Sequence, residues 1–272
     1  MYSAMDMFKI PEKLKNRVKE LEGLRFMPVE CIMPMKAMEG QLGKDEVYRG
    51  LPEKIEGGQK KIGDEFAGWD SYLWLEKTVT LPEHRDGCEV YGMFDFGKCN
   101  GGHTFGFESL LYVNGEPYQG VDTNHKDVNF EKLAGQTVTL TFMMWTGLED
   151  GHKRTAYHRL QRADIGYMHT ATDELYYLGR AVVETCNMLD EHASERHDLL
   201  YIYNHAIDML DYDPECFYET VPAALEWLKC ELKAIKKTLL SGKPFVFKVP
   251  MTVQEKGKDG KPSDTDYIDG SQ

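Results

Sequence analysis

Large apolar residues occupy every second position along residues 136–145, and threonines fill the first positions between them. A period of two is typical of a strand that is buried on one side. Residues 71–81 repeat this pattern, and residues 90–96 and 110–113 are two further strand candidates. The sequence therefore predicts at least four strands, each with one face in a core.

The turns between these candidates indicate antiparallel neighbours. Asn114-Gly115 follows one strand directly, and this dipeptide favours a two-residue hairpin because both turn positions need a positive φ. On the polar face of residues 71–81 lie Tyr72 and Trp74, which indicates that something covers that end of the strand. Short strands, turn signals and hairpins together predict an antiparallel β-sandwich of the jelly-roll or galactose-binding-like kind.

After the strand region, apolar positions repeat with a period of 3.6, which predicts helices. The clearest stripe consists of Leu175, Leu178, Val182, Cys186 and Leu189. Thr172 is the predicted N-cap of this helix and Ser194 that of the next. A last helix is predicted over residues 225–239, and another over residues 11–22 near the N-terminus. These helices need a partner surface, which is either one another or the sandwich.

The predicted fold class is α+β, an antiparallel β-sandwich with a C-terminal helical segment. We expect residues 1–68 to form a helix and an extended segment that packs on the sandwich. Residues 69–168 form the sandwich and residues 169–243 the helical segment. Residues 244–272 are rich in Lys, Asp, Gly and Ser, and such a composition favours a linker or a disordered tail.

Composition and charge narrow the classes of molecule that this chain could bind. The 272 residues carry a net charge of −13, which argues against nucleic acid as a partner. No stretch approaches the roughly 20 continuous apolar residues of a membrane helix, and the N-terminus does not have the pattern of a signal peptide. The six cysteines form no C-x-x-C pair. We therefore expect a cytoplasmic protein that binds neither nucleic acid nor membrane.

No catalytic or metal site stands out in the sequence. Glycosidases generally need two carboxylates beside the scissile bond, but the context of the 45 acidic residues singles out no pair. His84-Arg85-Asp86 has a spacing that could ligate a metal ion, yet it lies in a polar connection typical of a solvated turn. His192, His197 and His205 lack the spacing of four that places zinc ligands on one helix face. We predict no catalytic and no metal-binding residue.

Carbohydrate binding is a candidate chemistry for the strand region, because a sugar can pack its apolar face on an aromatic ring. The aromatic candidates in or beside the strands are Trp69, Tyr72, Trp74, Tyr118 and Trp145. Polar groups that could bind sugar hydroxyls follow at Asp122, Asn124 and His125. The predicted sugar-binding residues are Trp74, Tyr118, Asp122, Asn124 and His125. The alternative is that the aromatic side chains fill the seam between sandwich and helices.

Several segments form an ordered series along the strand region: GWDSYLWL at 68–75, LPE at 81–83, FDFG at 94–97, LLYVNGEPYQGVD at 110–122 and NH at 124–125. In this order they resemble the N-terminal β-sandwich of glycoside hydrolase family 38 α-mannosidases of the cytosolic or vacuolar type. The resemblance continues into the helices through residues 173–189 and 217–219 and covers roughly residues 60–240.

In that family a catalytic barrel follows, with a His-x-Asp motif and a nearby Trp, a zinc ion and an Asp nucleophile of a retaining mechanism. No such motif occurs in these 272 residues. The resemblance thus implies a non-catalytic N-terminal part of an α-mannosidase-like enzyme, inactive alone and without a cofactor of its own. Zinc would belong to the downstream catalytic domain, which is the expected partner of this chain. We also expect that the chain could form a homo-oligomer. The alternative is a free-standing carbohydrate-binding module.

Overall fold

The computed structural model describes residues 4–41, 51–97, 107–147 and 155–240. In these ranges the first half of the chain is mostly strand. The strands are β1 Phe26–Cys31, β2 Met35–Gln41, β3 Gly58–Lys60, β4 Glu65–Gly68, β5 Ser71–Thr80, β6 Cys88–Asp95, β7 Glu108–Val113, β8 Glu116–Asp122, β9 Asp127–Asn129, β10 Thr137–Trp145, β11 Ala156–Arg159 and β12 Arg162–His169. The helices are α1 Ala4–Leu24, α2 Thr170–Met188, α3 Ser194–Asp208 and α4 Phe217–Leu240. None of the described helices is long and apolar enough to cross a membrane.

The strands form a six-stranded sheet in the order β3-β2-β5-β10-β7-β8 and a four-stranded sheet in the order β1-β12-β6-β9. Strands β11 and β4 pair separately. Neighbouring strands are antiparallel, as the pairings of β10 with β5 and of β12 with β6 illustrate. The predicted antiparallel β-sandwich with C-terminal helices is confirmed.

Phenylalanine rings hold the two sheets together. Phe94 of the four-stranded sheet lies 4.7 Å from Phe142 of the six-stranded sheet, measured between ring centroids, and Phe96 lies 5.1 Å from Phe142. All three rings are fully buried. Along β10 the inward positions are buried, and the positions between them are at least partly exposed except for the buried Thr141, as the period of two largely predicts. Burial of these rings and of the aliphatic side chains around them stabilises the sandwich.

The predicted hairpin at Asn114-Gly115 is confirmed, since it joins β7 to β8 and both residues have positive φ, 51° and 88°. The Asn114 side chain also accepts the backbone N–H of Thr139 in β10 at 2.9 Å. Its turn chemistry therefore closes the hairpin and ties it to the centre of the sheet.

The helices form a second core that is separate from the first. From α1, Ile10, Leu14, Val18 and Leu21 pack with buried residues of α2, α3 and α4. The prediction that residues 1–68 pack on the sandwich is therefore wrong for α1, whose apolar stripe meets the other helices. The extended part of that range instead supplies β1 to β4.

Both predicted helix caps are wrong. Helix α2 begins at Thr170, and the ring Nδ1 of His169 accepts the backbone N–H of Thr172 at 3.3 Å. Burial lowers the pKa of His169, with a smaller contribution from Arg85, and this favours the neutral ring that can accept the bond. Helix α3 has Ala193 at its N-cap, while the Ser194 hydroxyl donates to Glu195. The predicted tail at 244–272 lies outside the described residues.

Candidate functional site

The candidate site lies on the outer face of the six-stranded sheet, opposite the phenylalanine core. The register places Tyr72 of β5 opposite Trp145 of β10, Trp145 opposite Glu108 of β7, and Glu108 opposite Asp122 of β8. Directly opposed residues of antiparallel strands share one face. Tyr72, Trp145, Glu108 and Asp122, called the outer row below, therefore cross four adjacent strands over roughly 14 Å, three strand spacings.

Trp145 is held at one edge of its indole ring. The indole Nε1–H donates to a carboxylate oxygen of Asp70 at 2.8 Å, and the Trp145 ring is only partly buried. Asp70 itself has a φ of 50°, a conformation that Asp adopts more readily than most residues. The backbone N–H of Asp70 donates to the carbonyl of Gly147 at 3.2 Å. Asp70 thus holds the Trp145 ring with its side chain, while its own backbone is hydrogen-bonded to Gly147.

Asp122 carries a negative charge that its own turn stabilises. Its carboxylate accepts the backbone N–H groups of Asn124 at 2.6 Å and His125 at 2.9 Å, and it lies 3.0 Å from the His125 ring nitrogen. Burial alone would raise the pKa of Asp122. The hydrogen bonds from the His125 side chain and from the two backbone N–H groups outweigh that effect, so the pKa lies below its ordinary value. In turn, the hydrogen bond to Asp122 raises the pKa of the His125 ring.

Glu108 completes the row on the strand between Trp145 and Asp122. It is exposed and directly opposite Asp122, so the Cβ atoms of the two acidic residues lie about 5 Å apart. Ionised carboxylates can only accept hydrogen bonds. The row therefore combines two partly buried aromatic rings with two acceptors that suit the hydroxyl groups of a ligand.

The predicted sugar-binding residues are only partly brought together. Asp122, Asn124 and His125 share one turn at the end of the outer row. Trp74 is 6% exposed and packs with Tyr112 and Ile55, so a ligand cannot stack on its ring.

Tyr118 stands apart from the row. Its ring is stacked on Phe130 at a centroid distance of 5.6 Å, and its hydroxyl donates to the Asn129 carbonyl. It therefore supports the edge of the sandwich.

The segment before β3 covers one end of the outer face. Trp74, Tyr112 and Ile55 form a small apolar cluster with the partly buried Leu51, and both Leu51 and Ile55 come from the segment before β3. The prediction that something covers this end of β5 is confirmed. The alternative that aromatic side chains fill the seam with the helices is wrong for Trp74, because the described residues of its cluster come from the six-stranded sheet and the segment before β3.

His84, a candidate metal ligand in the sequence, pairs with acidic side chains at the surface. His84 is exposed, and its ring nitrogens lie near Glu131 and Asp86. The hydrogen bond to Glu131 raises the pKa of His84. Within the part of the chain that the structure describes, no group of three or more His, Cys, Asp or Glu side chains could hold a metal ion.

Comparisons with known proteins leave the family open. No family model matches the chain, and no curated protein matches it. The resemblance to family 38 α-mannosidases therefore stays a prediction.

Several solved structures show weak likeness. They include Faecalibacterium prausnitzii β-glucuronidase (12% identity, TM-score 0.35), TmCBM61 in complex with β-1,4-galactotriose (12%, 0.28) and the CBM51-2 and INT domains from Clostridium perfringens ZmpB (13%, 0.25). The matches cover 53%, 49% and 74% of this chain and 32%, 88% and 44% of the three solved chains, respectively. The chain thus spans about a third of the glucuronidase. With TM-scores this low, these likenesses carry no argument about function.

Proposed function

We propose that this chain is a non-catalytic carbohydrate-binding module and that it serves a glycoside hydrolase domain. The observation that carries the proposal is the outer row, in which Tyr72 and Trp145 stand beside the carboxylates of Glu108 and Asp122 on adjacent strands. A sugar has an apolar face that can lie on an aromatic ring and hydroxyl groups at its rim. The row offers a surface for the first and acceptors for the second.

The row is also preorganised. Trp145 and Glu108 lie on two strands that pair with each other, and the Asp70 carboxylate fixes one edge of the indole. Asp122 is held by hydrogen bonds from its own turn. Because Trp145 and Asp122 are already held in place, a ligand would lose little binding free energy to the immobilisation of these two side chains.

Calorimetric titration with neutral disaccharides, including α-linked mannobiose, tests this proposal. We expect at least one of them to bind, and we expect Trp145→Ala to weaken that binding about tenfold or more, equivalent to about 1.4 kcal/mol. Tyr201→Ala is the matched control, because Tyr201 is an exposed aromatic residue on α3 with 57% of its surface accessible. The proposal fails if no disaccharide binds at millimolar concentration or if Trp145→Ala binds as tightly as the wild type.

We further propose that the parent activity is hydrolysis of α-linked mannose by a downstream, zinc-containing domain in the cytoplasm. The ordered series of segments at 68–75 and 110–122 supports this assignment, and the isolated chain should release no mannose from an α-mannoside. An antibody against this chain should detect a native polypeptide far larger than 31.2 kDa, together with α-mannosidase activity that a chelator removes. A native product of 31.2 kDa without that activity would contradict this parentage and leave the binding module standing.

A further inference from the structure

We infer that the outer row selects uncharged glycans and rejects acidic ones such as uronic acids. This inference rests on the proposed function and names the ligand class of the same site. Its basis is the charge around the aromatic rings. Glu108 and Asp122 lie in the row itself, and the carboxylate of Asp70 touches the indole of Trp145. Three carboxylates therefore lie in the row or beside it.

The described residues near the row do not balance this charge with lysine or arginine. The four positions of the row contain neither, and the next row on the same face consists of Trp74, Met143, Leu110 and Gly120. Lys126, which follows the turn of Asp122, forms an ion pair with Asp95, with 2.5 Å between its Nζ atom and a carboxylate oxygen. The His125 ring nitrogen lies 3.0 Å from an Asp122 carboxylate oxygen. Among the described residues, no lysine or arginine forms an ion pair with Glu108 or Asp70.

The chemistry of the acceptors points the same way. A carboxylate can bind a hydroxyl group that donates, but it repels another carboxylate, which has no proton to donate at neutral pH. Repulsion between charges at a surface is strong at low ionic strength and is screened as salt increases. An acidic sugar should therefore bind more weakly than its neutral counterpart, by a factor that depends on salt.

Matched pairs of disaccharides that differ only at C6 of the non-reducing sugar test this: glucosides and glucuronides, galactosides and galacturonides, mannosides and mannuronides. We expect the neutral member of at least one pair to bind at least tenfold more tightly than the acidic member at 20 mM salt. The ratio should shrink at 500 mM salt. Glu108→Gln should narrow the ratio at low salt because it removes one charge from an exposed position.

Glu116→Gln is the matched control, since Glu116 is an exposed glutamate at the opposite end of the β7–β8 hairpin and should leave the ratio unchanged. An acidic glycoside that binds as tightly as its neutral partner would overturn the inference and leave the proposed binding module intact. A ratio that Glu108→Gln leaves unaltered would also overturn it, because the selection would then originate elsewhere. If no neutral or acidic glycoside binds, the proposed function itself fails, and the inference fails with it.

Discussion

Asp122 and His125 illustrate how one turn sets the charge of a candidate site. The carboxylate holds the pKa of the His125 ring above its ordinary value of 6.5, mainly through their direct hydrogen bond. Because the folded pKa of His125 is raised, its contribution to stability is complete below the unfolded pKa and is lost as pH rises through the folded pKa. The lowered pKa of Asp122 gives a contribution that is present above the carboxyl's unfolded pKa and is lost as pH falls through the folded pKa.

An NMR titration of the histidine rings tests this pairing. We expect the His125 ring to titrate above 6.5 in the wild type and to move towards 6.5 in Asp122→Asn, because the neutral amide no longer stabilises the imidazolium. His84 serves as the internal control, since its own pKa is raised by Glu131 and should not respond to the substitution. An unchanged His125 titration in Asp122→Asn would show that the pair does not form in solution.

At the scale of single residues, sequence reasoning found the types of residue in the site better than their positions. Trp145 and Tyr72 stand at the same end of two strands whose pattern is clear, so their pairing could have been predicted by aligning residues 71–81 with 136–145. Trp74 has the same chemistry and the same face, but the segment of Leu51 and Ile55 packs over it. Which aromatic residue is covered depends on a long-range contact that no local pattern encodes.

At the scale of elements, the β7–β8 hairpin shows how one inserted residue changes a site. Counting outward from Asn114-Gly115 would pair Glu108 with Val121. The pairing instead shifts by one residue between Leu111 and Tyr112, so that Glu108 faces Asp122. A one-residue shift moves each later side chain to the other face of the sheet. The turn was predictable from its dipeptide, while the bulge that turns Asp122 outward was not.

Helix α2 depends on a glycine where it approaches α3. A Cβ atom at Gly179 would overlap the hydroxyl oxygen of Tyr203, which is fully buried and has no hydrogen-bond partner among the described residues. Gly179→Ala improves helix propensity by about 1 kcal/mol, but overpacking of this kind costs about 1–3 kcal/mol. We therefore expect Gly179→Ala to lower the free energy of unfolding of the helices.

A double-mutant cycle measured by urea unfolding separates the two effects. Tyr203→Phe alone should be neutral or stabilising, because it removes a buried hydroxyl that no described residue satisfies. Combined with Gly179→Ala it should relieve the overlap, so that the double variant is more stable than Gly179→Ala. Equal stability of the two would exclude the hydroxyl as the cause.

At the scale of the whole molecule, two separate cores share one chain. The sandwich core and the helical core contain different residues, and the chain crosses between them at Arg25 and at His169. The backbone N–H of His169 donates to the carbonyl of Arg25 at 2.9 Å, and the Arg25 guanidinium lies 3.3 Å from Asp173. The sequence predicted the strand region and the helical segment, but it could not predict that α1 packs with helices that begin at residue 170 or later, because an apolar stripe does not specify its partner.

Separate cores should respond separately to a core substitution. Leu14 is fully buried in the helical core, so Leu14→Ala should destabilise the helices by about 2–5 kcal/mol. Lys15→Ala, at an exposed neighbouring position, should change their stability by no more than about 0.5 kcal/mol. Helical circular dichroism should report the loss, while near-ultraviolet signals of the sandwich aromatics should persist to higher denaturant. A single coincident transition in both variants would contradict two separable cores.

The outer row is the claim on which the functional account depends, and the indole N–H resonances of the tryptophans test it most directly. During titration with the tightest-binding neutral disaccharide, we expect the Trp145 indole resonance to shift progressively, because its ring would lie under the sugar beside Asp70. The resonance of Trp227, which packs against His205 in the helical part, should stay in place. Saturable shifts that spare Trp145 and appear elsewhere would contradict the account and place any sugar site outside the outer row.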